Sequence, residues 1–593
     1  MKQLLILFFF ISTLFGVDII TQKALDKKLY NLPTFKALLH YKDKFYITDK
    51  NFFLSKNHTL KNELIADIKG FKKSPKEYIN IDNHPQCVFP ARFLFVKKEL
   101  NISNSYFPKV ECKNLKIYEK KAPADKISLV FASENIKSPS SMMGHTFFKY
   151  EGKNYAGREV SHAISFYTFI NTINPIVLLY ENSISGMDGF FILKPYREIL
   201  NNYLNKENRN LWEFELALSP YQKNIIYYHI WELKNPKMKY YFTSYNCASV
   251  VFYILATAKP TILKEDKFWL TPLSVIKIAN KNHLIIKSNL LPNDEWFIKL
   301  LEKKVLTSDI QDIKNSIKFN NFQKFQNLKI NQRNFYKLVL LQTYAIYLLK
   351  NKKISKQKFD EIGDILKQYK FPYNIDISKY KTPLKTPPER KIKIGFVKDN
   401  RDNFLEIGFL PASHTLNDNN REYFNESELK IGYLSFLLND KHFLLNKFNI
   451  YKMTNLIPYD SLTHPYSSSF DLSIQRDYDE ELNKKLFLKT KFAIGEDINI
   501  FNDINMFVLL NAELNYNQKT FIKTYPQFGF MMYEIFNSKL YVDYKPTFIN
   551  NKFAYNEYDI YQNIFLKNDF KVIFGYKKIE KKEEFQVNLV KYF

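Results

Sequence analysis

Cys247 and His145 are the residues whose types and surroundings best suit nucleophilic chemistry. A cysteine attacks as a thiolate, so it needs a neighbouring base or a lowered pKa. Cys247 follows Asn246, a favoured N-cap residue, and begins an apolar segment with helical spacing. The positive end of such a helix favours a thiolate, and the N–H of Cys247 would be free to stabilise an oxyanion. The pattern indicates a cysteine nucleophile.

His145 is the candidate base for this nucleophile. It follows Gly144, which lets another element approach closely, and it begins a predicted strand. The two residues are about 100 positions apart, so only the fold can bring them together. A small buried thiol and a histidine that simply packs against its neighbours are the structural alternatives.

The elements expected to position these residues form an α+β domain over residues 121–300. Alternation and apolar runs predict strands at 127–132, 146–150 and 163–169, with a turn at 151–154. Helical spacing predicts helices at 221–233 and 248–258. Residues 17–120 are expected to form a mainly helical accessory domain, and residues 301–389 a helical segment that ends in a Pro-rich linker.

The hydrophobic pattern of the sequence changes after residue 390. Twelve strand-like segments follow one another with polar turns between them, at 391–398, 403–410, 427–438, 443–453, 466–476, 484–496, 505–516, 525–536, 538–549, 555–567, 570–579 and 583–593. An even number of strands near ten residues long, rich in Tyr and Phe, is typical of an outer-membrane barrel. A soluble β-sandwich has similar alternation and is the alternative.

The last segment carries the clearest membrane pattern. One predicted face holds Phe585, Val587, Leu589 and Phe593, and is interrupted by Lys591, which can extend to the membrane interface. The chain ends on Phe593, as outer-membrane barrels commonly do for their assembly machinery. We therefore expect residues 390–593 to form an outer-membrane barrel of about twelve strands that this machinery inserts.

The N-terminus and the cysteines both favour export. Residues 1–16 have a basic start, an apolar run and a small residue at the end, as in a secretory signal peptide. Cys87 and Cys112 could pair in an oxidising compartment, although two separate thiols remain an alternative. If they pair, Cys247 is left as an odd cysteine that needs an explanation.

The composition excludes some partners. The 593 residues carry a formal charge of +27, which by itself would suggest a nucleic acid. Only nine of the 87 cations are Arg, the better residue for reading phosphates and bases, and the Lys residues are spread along the chain. We therefore predict no nucleic-acid partner. No continuous apolar run of 18 residues follows the first twenty, so no membrane-spanning helix is expected.

Several short segments together resemble a known family, the Lnb periplasmic-domain family, named after a bacterial lipoprotein intramolecular transacylase. In chain order they are Ser-Met-Met-Gly-His-Thr-Phe at 141–147, Pro-Tyr at 195–196, Arg-Asn-Leu-Trp-Glu-Phe at 209–214, Trp-Glu-Leu at 231–233 and the run from Tyr240 to Cys247. The resemblance covers about residues 125–265. It implies a permuted papain-like (NlpC/P60-like) fold, with Cys247 as nucleophile and His145 as general base.

The resemblance also implies a reaction. Family members move a fatty acyl chain from the glyceryl group of a lipoprotein to its N-terminal amine, through a Cys thioester and without a cofactor. His162 is a candidate for orienting the imidazole, and the Asn246 side chain for holding the oxyanion. Ser141 is a candidate substrate or oxyanion contact, or simply holds the turn before Gly144. The chain departs from the family at 185–191, where a Gly-Gly-Tyr-x-Gly loop is usual, and at Ala248, where Ser is usual.

Three functions are compatible with these observations. The first is an acyltransferase for lipoprotein or lipid chains at the periplasmic face of the outer membrane. The second is a papain-like hydrolase, either a peptidoglycan peptidase or a lipid deacylase. The third is a non-catalytic interaction protein anchored by the barrel. An apolar tunnel above Cys247 would favour acyl chains and an open polar groove would favour peptides. No metal site is expected, because His162 and His229 lack partners at ligand spacing.

Overall fold

The computed structural model describes residues 18–134, 143–169, 177, 180–266, 268–370, 375, 377, 380–399, 402–501 and 503–593. The chain forms two compact units, of which the first ends at Leu291 and the second begins at Pro292. The predicted fold class is confirmed, because an α+β region precedes a closed antiparallel barrel of twelve strands. The predicted signal peptide, 1–16, and Ser141 lie outside the described residues.

A seven-stranded antiparallel sheet organises the first unit. Its strands in chain order are β1 (Lys126–Ala132), β2 (His145–Lys153), β3 (Glu159–Thr168), β4 (Met187–Pro195), β5 (Leu211–Leu216), β6 (Met238–Tyr240) and β7 (Ile285–Leu291). Their order across the sheet is β6–β4–β3–β2–β1–β5–β7. The turn predicted at 151–154 is wrong by about three residues. Strand β2 continues to Lys153, and the turn forms where the Asn154 side chain accepts the backbone N–H groups of Ala156 and Arg158.

Helices cover this sheet and build the N-terminal part of the unit. They are α1 (Ile19–Asp26), α2 (Pro33–Leu38), α3 (Leu60–Phe71), α4 (Pro85–Val88), α5 (Pro90–Leu100), α6 (Lys113–Lys121), α7 (Tyr196–Leu200), α8 (Pro220–Glu232), α9 (Cys247–Ala258) and α10 (Pro272–Lys281). The helices predicted at 221–233 and 248–258 correspond to α8 and α9. Every residue of α9 is buried, so this helix forms the centre of the unit.

The second unit begins with four described helices. They are α11 (Asp294–Glu302), α12 (Thr307–Phe319), α13 (Gln332–Lys350) and α14 (Lys356–Lys367). The apolar stripe of α13 packs into a core with the other three helices, and Leu462 from a barrel loop joins this core. None of the helices in the described ranges is both long and apolar enough to span a bilayer.

The rest of the second unit is a closed barrel. Its strands are β8 (Lys391–Asp399), β9 (Asp402–Leu410), β10 (Glu426–Leu438), β11 (Phe443–Leu456), β12 (Ser467–Tyr478), β13 (Lys484–Ile500), β14 (Ile504–Asn517), β15 (Lys519–Glu534), β16 (Ser538–Ile549), β17 (Lys552–Leu566), β18 (Phe570–Ile579) and β19 (Lys582–Tyr592). Each strand pairs with its neighbours in sequence, and β19 closes on β8. The predicted twelve strands are confirmed. The largest difference is β15, which begins at Lys519 rather than at 525.

The side chains of the barrel strands alternate between an apolar outer face and a more polar inner face. On β14, Met506, Val508 and Leu510 point outward and are exposed, whereas Asn511 and Glu513 point inward and are buried. On β19 the predicted outward face is confirmed, because Phe585, Val587, Leu589 and Phe593 are all exposed. A closed barrel satisfies its own backbone hydrogen bonds, and an apolar outer surface then suits lipid.

The loop between β9 and β10, residues 411–425, folds into the barrel lumen. Leu416 packs among inward-facing apolar side chains of five strands, namely Leu456, Ala493, Phe507, Leu509, Met531 and Tyr541. Asp418 pairs with Lys391 and Lys571 and accepts the Tyr592 hydroxyl. The loop therefore crosses the lumen at the end of the barrel where its first strand begins and its last strand ends.

Four buried side chains pack together at the opposite end of the barrel. Tyr478, Ile549, Tyr555 and Ile579, which lie at the other ends of their strands, form an apolar cluster there. A polar cavity of about 370 Å³, lined by paired Lys, Asp and Glu side chains, lies in the barrel interior.

These contacts predict that the barrel does not conduct ions. We expect the full-length protein in a planar bilayer to give no current steps above the baseline, since the loop at 411–425 crosses the lumen. An open porin inserted into the same bilayer is the positive control. Regular single-channel steps from the full-length protein would contradict this prediction.

Candidate active site

Asn246 begins α9 and fixes the position of Cys247. Its side-chain oxygen accepts the backbone N–H of Ser249 at 3.0 Å, as an N-cap does. Its amide nitrogen donates to the carbonyl oxygens of Phe242, at 2.8 Å, and Leu270, at 3.0 Å. These bonds use the whole side chain. In this structure Asn246 holds the loop and the helix start, and its oxyanion contact stays a prediction.

The Cys247 thiol lies in a pocket of hydrogen-bond donors. It is only 4% exposed. The backbone N–H of Thr146 and the hydroxyl of Tyr240 donate to the sulfur, and the backbone N–H of Cys247 itself bonds to the Tyr240 hydroxyl. Burial raises the pKa of the Cys247 thiol, against the opposing effect of these donors and the Arg209 cation. The resting sulfur is therefore a protonated thiol at neutral pH.

Because Thr146 follows His145 directly, its contact brings Cys247 to the beginning of the strand that carries the predicted base. Gly144 precedes it with φ +83°, and a Cβ at that position would lie 2.8 Å from the Ala132 carbonyl oxygen. This close approach explains the glycine. His145 Nε2 lies 2.7 Å from Ser165 Oγ. Burial, with a contribution from Arg209, lowers the pKa of His145 to about 3, so the imidazole is neutral.

The structure does not bring His162 to the imidazole. In the β2–β3 register His162 is opposite Tyr150, one residue from the Ala163–Lys149 pair. Side chains alternate along a strand, so Ser165 shares a face with His145 and His162 lies on the other face. The Nδ1 atom of His162 is buried and has no hydrogen-bond partner among the described residues. The orienting position predicted for His162 is therefore occupied by Ser165.

Two further side chains, Tyr203 and Arg209, complete the surroundings of the imidazole. Tyr203 lies in a π-helical turn, Asn201–Lys206, and its ring centroid is 6.4 Å from that of His145. Arg209 is 1% exposed, and its guanidinium carbon lies 4.8 Å from the Tyr203 ring centroid. It donates to the carbonyl oxygens of Ser133 and Ala132 at the end of β1.

The sequence signals for these residues differ. Arg209 and Tyr240 lie in the segments that carry the family resemblance, where no role was predicted for them. Tyr203 has no comparable signal, because its place depends on a π-helical turn that no pattern in the sequence marks.

An apolar surface extends from the histidine along the same face of the sheet. Beyond Ser165, this face of β3 carries Tyr167, which is paired with Phe190 on β4. The rings of Tyr167, Phe169 and Phe190 contact one another, with centroids 4.9 to 6.2 Å apart. Phe169 is 57% exposed and Phe190 is 43% exposed. The sheet face that carries His145 and Ser165 therefore presents partly exposed aromatic groups.

Two of the three cysteines are paired with each other, and the third is Cys247. Cys87 and Cys112 form a disulfide, with their Cα atoms 5.3 Å apart. Cys247 is the third cysteine of the chain and is free. Among the described residues, no group of three or more His, Cys, Asp or Glu side chains is placed to hold a metal ion.

The neutral imidazole predicts an unusual pH profile. With the pKa of His145 near 3 and that of Cys247 raised, the active thiol–imidazole form stays populated between pH 5 and 7. We expect kcat/KM, and the alkylation rate of Cys247 corrected for thiolate fraction, to change less than about twofold over this range. A base with the ordinary histidine pKa would lose about thirtyfold by pH 5. A loss of that size would contradict the low pKa of His145.

Three protein-family models each match a part of the chain. Residues 114–282 match the Lnb N-terminal periplasmic domain. Residues 381–592 match a domain of unknown function, DUF7840, and residues 27–99 match another, DUF7843. No curated protein sequence matches the chain.

Solved structures that resemble the chain are β-barrels. The COG4313 outer membrane channel from Pseudomonas putida F1 is 9% identical, with 37% of this chain and 100% of that chain covered and a TM-score of 0.24. OmpT of Vibrio cholerae is 9% identical, with 34% and 98% covered and a TM-score of 0.20. The β domain of the Bordetella autotransporter BrkA is 9% identical, with 35% and 99% covered and a TM-score of 0.19.

The class of the protein follows from its two parts. Within the first unit, residues 114–282 match the Lnb N-terminal periplasmic domain. The second carries a closed barrel of twelve strands with an apolar outer surface, as an outer-membrane barrel does. The chain is thus an outer-membrane protein with a periplasmic domain.

Proposed function

We propose that the protein is a thiol-dependent acyltransferase that works through a thioester on Cys247. Its substrates are acyl chains of lipoproteins or lipids at the periplasmic face of the outer membrane. The observation that supports the proposal is the contact between the sulfur of Cys247, the only free thiol, and the backbone N–H of Thr146, because Thr146 follows His145 directly in β2. A thiol, a neutral imidazole and adjacent donors are the parts that acyl transfer needs.

The mechanism follows from the protonation states. His145 takes the proton of Cys247, and the thiolate attacks the ester carbonyl. The N–H of Cys247 and the Tyr240 hydroxyl, which bond to each other in the resting site, hold the developing oxyanion. The imidazolium then protonates the departing glyceryl oxygen, which leaves a thioester. An amine attacks the thioester, His145 accepts its proton, and that proton returns to the released sulfur.

The aromatic surface favours acyl chains over peptides. Tyr167, Phe169 and Phe190 share the sheet face of His145 and Ser165 and are partly exposed. Covering such a surface with an alkyl chain is favourable, at about 25 cal/mol per Å² removed from water. A peptidoglycan peptidase would instead need polar groups on this face to bind a peptide backbone.

The barrel supports the proposal by holding the domain where its substrate lies. Anchoring in the outer membrane gives lipids of that membrane a high effective concentration at the site, without any further affinity. The terminal strand, with Phe593 at its end, is the segment that we propose the barrel assembly machinery recognises. This role of the barrel requires no open pore.

A trapping experiment tests the proposed function. Full-length protein in detergent is incubated with a diacylated lipopeptide and its intact mass is measured. We expect one acyl adduct, released by hydroxylamine at neutral pH, on the wild type and none on Cys247→Ala. Adding an amine acceptor should give an N-acyl product, whereas a deacylase would give free fatty acid only. Absence of any adduct or acyl product would refute the proposal.

A further inference from the structure

A buried chain of hydrogen bonds connects the N-terminal helices to the segment before Cys247. His40 Nδ1 lies 2.6 Å from the Tyr245 hydroxyl, and its Nε2 lies 3.0 Å from Nε2 of His229. His229 Nδ1 lies 2.9 Å from Glu232 Oε2. All four side chains are buried. The chain thus begins at a carboxyl group and ends two residues before the nucleophile.

The carboxyl end of the chain is held by backbone groups. Glu232 Oε1 accepts the N–H groups of Ala91, at 2.7 Å, and Arg92, at 3.0 Å. This oxygen therefore cannot also carry a proton, so any proton on Glu232 lies on Oε2, facing His229. The other charged or titratable groups packed around the chain are Arg92, Glu63, Asp67, Tyr46, Tyr253 and Asp266.

Counting protons leaves two arrangements of this chain. Each neutral imidazole carries one N–H, and each of the three contacts needs one hydrogen. If Glu232 is ionised, His229 donates to it, His40 donates to His229, and Tyr245 donates to His40. If Glu232 is protonated, every bond reverses, and Tyr245 accepts from His40. The protonation state of one carboxyl group thus sets the direction of the Tyr245 hydrogen bond.

The Tyr245 hydroxyl also reaches the strand that contacts the nucleophile. It lies 4.0 Å from Met238 Sδ, toward which it can donate when it accepts from His40. Met238 begins β6, and Tyr240 at the end of this strand bonds to Cys247. A backbone bridge between Tyr241 and Tyr245 joins the two ends of the intervening turn. A change at Tyr245 therefore acts on the element that holds Tyr240 against the sulfur.

We propose that His40, His229 and Glu232 form a proton relay that directs the Tyr245 hydroxyl and so positions Tyr240 at Cys247. These are positioning residues, since their contacts given above do not include the sulfur. The inference rests on the proposed function in that it treats Cys247 as the reactive group. It gives the N-terminal helices a role in setting the reactivity of the thiol.

The environment supports the carboxyl group as the member that titrates. Burial raises the pKa of Glu232 to about 8, and burial lowers the pKa of His229 to about 3 and that of His40 well below its ordinary value. Both imidazoles therefore stay neutral while the carboxyl group changes state. Arg92 lies beside this group but is engaged by Glu63 and Asp67.

The test measures the reactivity of Cys247 without any acyl substrate. Full-length wild type, Glu232→Gln and Tyr245→Phe are alkylated with iodoacetamide between pH 6 and 9.5 and followed by intact mass. Cys247 is the only free thiol, so each adduct reports on it. A glutamine amide imitates the protonated carboxyl at every pH. Tyr228→Phe on the same helix, outside the chain of bonds, is the matched control.

We expect the wild-type rate, corrected for thiolate fraction, to step by a factor of about 2 to 10 between pH 7 and 9, as one hydrogen bond allows. Glu232→Gln should keep the low-pH value throughout, Tyr245→Phe should show no step, and Tyr228→Phe should match the wild type. A step that persists in Tyr245→Phe, or that is absent from the wild type, would overturn the relay. If Glu232→Gln does not fold, the pH profile of Tyr245→Phe alone tests the relay. If the alkylation profiles are as expected but no acyl transfer is detected, the proposed function is refuted and the relay is not.

Discussion

Replacing His145 by Gln is expected to lower kcat/KM for acyl transfer by about 10² to 10⁴, the usual contribution of a positioned general base. The thiol in this site is buried with a raised pKa, so it does not ionise without a proton acceptor. KM should change little, because glutamine retains the polar volume. The rates of purified full-length variants in detergent measure this effect.

His162→Gln is the matched control for His145→Gln. His162 lies on the opposite face of the same sheet, so its replacement should leave kcat/KM within about twofold. If His162→Gln lost activity and His145→Gln kept more than a tenth of it, the assignment of the base would be wrong.

Replacing Arg92 by Met is expected to reduce the free energy of unfolding of the first unit by about 3 to 5 kcal/mol. Arg92 pairs with Glu63 at 2.9 Å, and both side chains are completely buried. Removing the cation leaves the Glu63 carboxylate buried, and its remaining donors among the described residues are the backbone N–H groups of Leu54 and Ser55. The result is an uncompensated buried charge.

Tryptophan fluorescence in a urea titration measures this loss, because Trp212, Trp231 and Trp269 lie in the first unit and only Trp296 lies in the second. Lys116→Met is the control, since its pair with Glu111 is exposed and should contribute little to stability. Equal stability of the two variants would show that the buried pair adds nothing.

Local patterns predicted the elements of the fold well. The twelve barrel strands follow from period-two alternation and polar turns, and α9 follows from an N-cap before an apolar run. The loop that crosses the barrel lumen was not predicted. Residues 411–425 are mostly polar and look like any surface connection, and their burial depends on Lys391, Lys571 and Tyr592, which are distant in sequence.

In the candidate site, too, local patterns did not predict contacts between residues that are distant in sequence. The types and settings of Cys247 and His145 were sufficient to select them, whereas choosing between Ser165 and His162 required the register of β2 against β3. A shift of one residue in the register of a strand moves its side chains to the other face of the sheet. The contact of His40 with Tyr245 joins residues 205 positions apart, and no local pattern specifies it.

The most direct test of the central claim is mass spectrometry of lipoprotein N-termini from cells that express the wild type or Cys247→Ala. The account predicts that an acyl chain moves from the glyceryl group to the N-terminal amine only with the wild type. Loss of the chain without N-acylation would indicate a deacylase that uses the same thioester. Identical spectra from the two strains would contradict the claim that lipoprotein acyl chains are the substrate of Cys247.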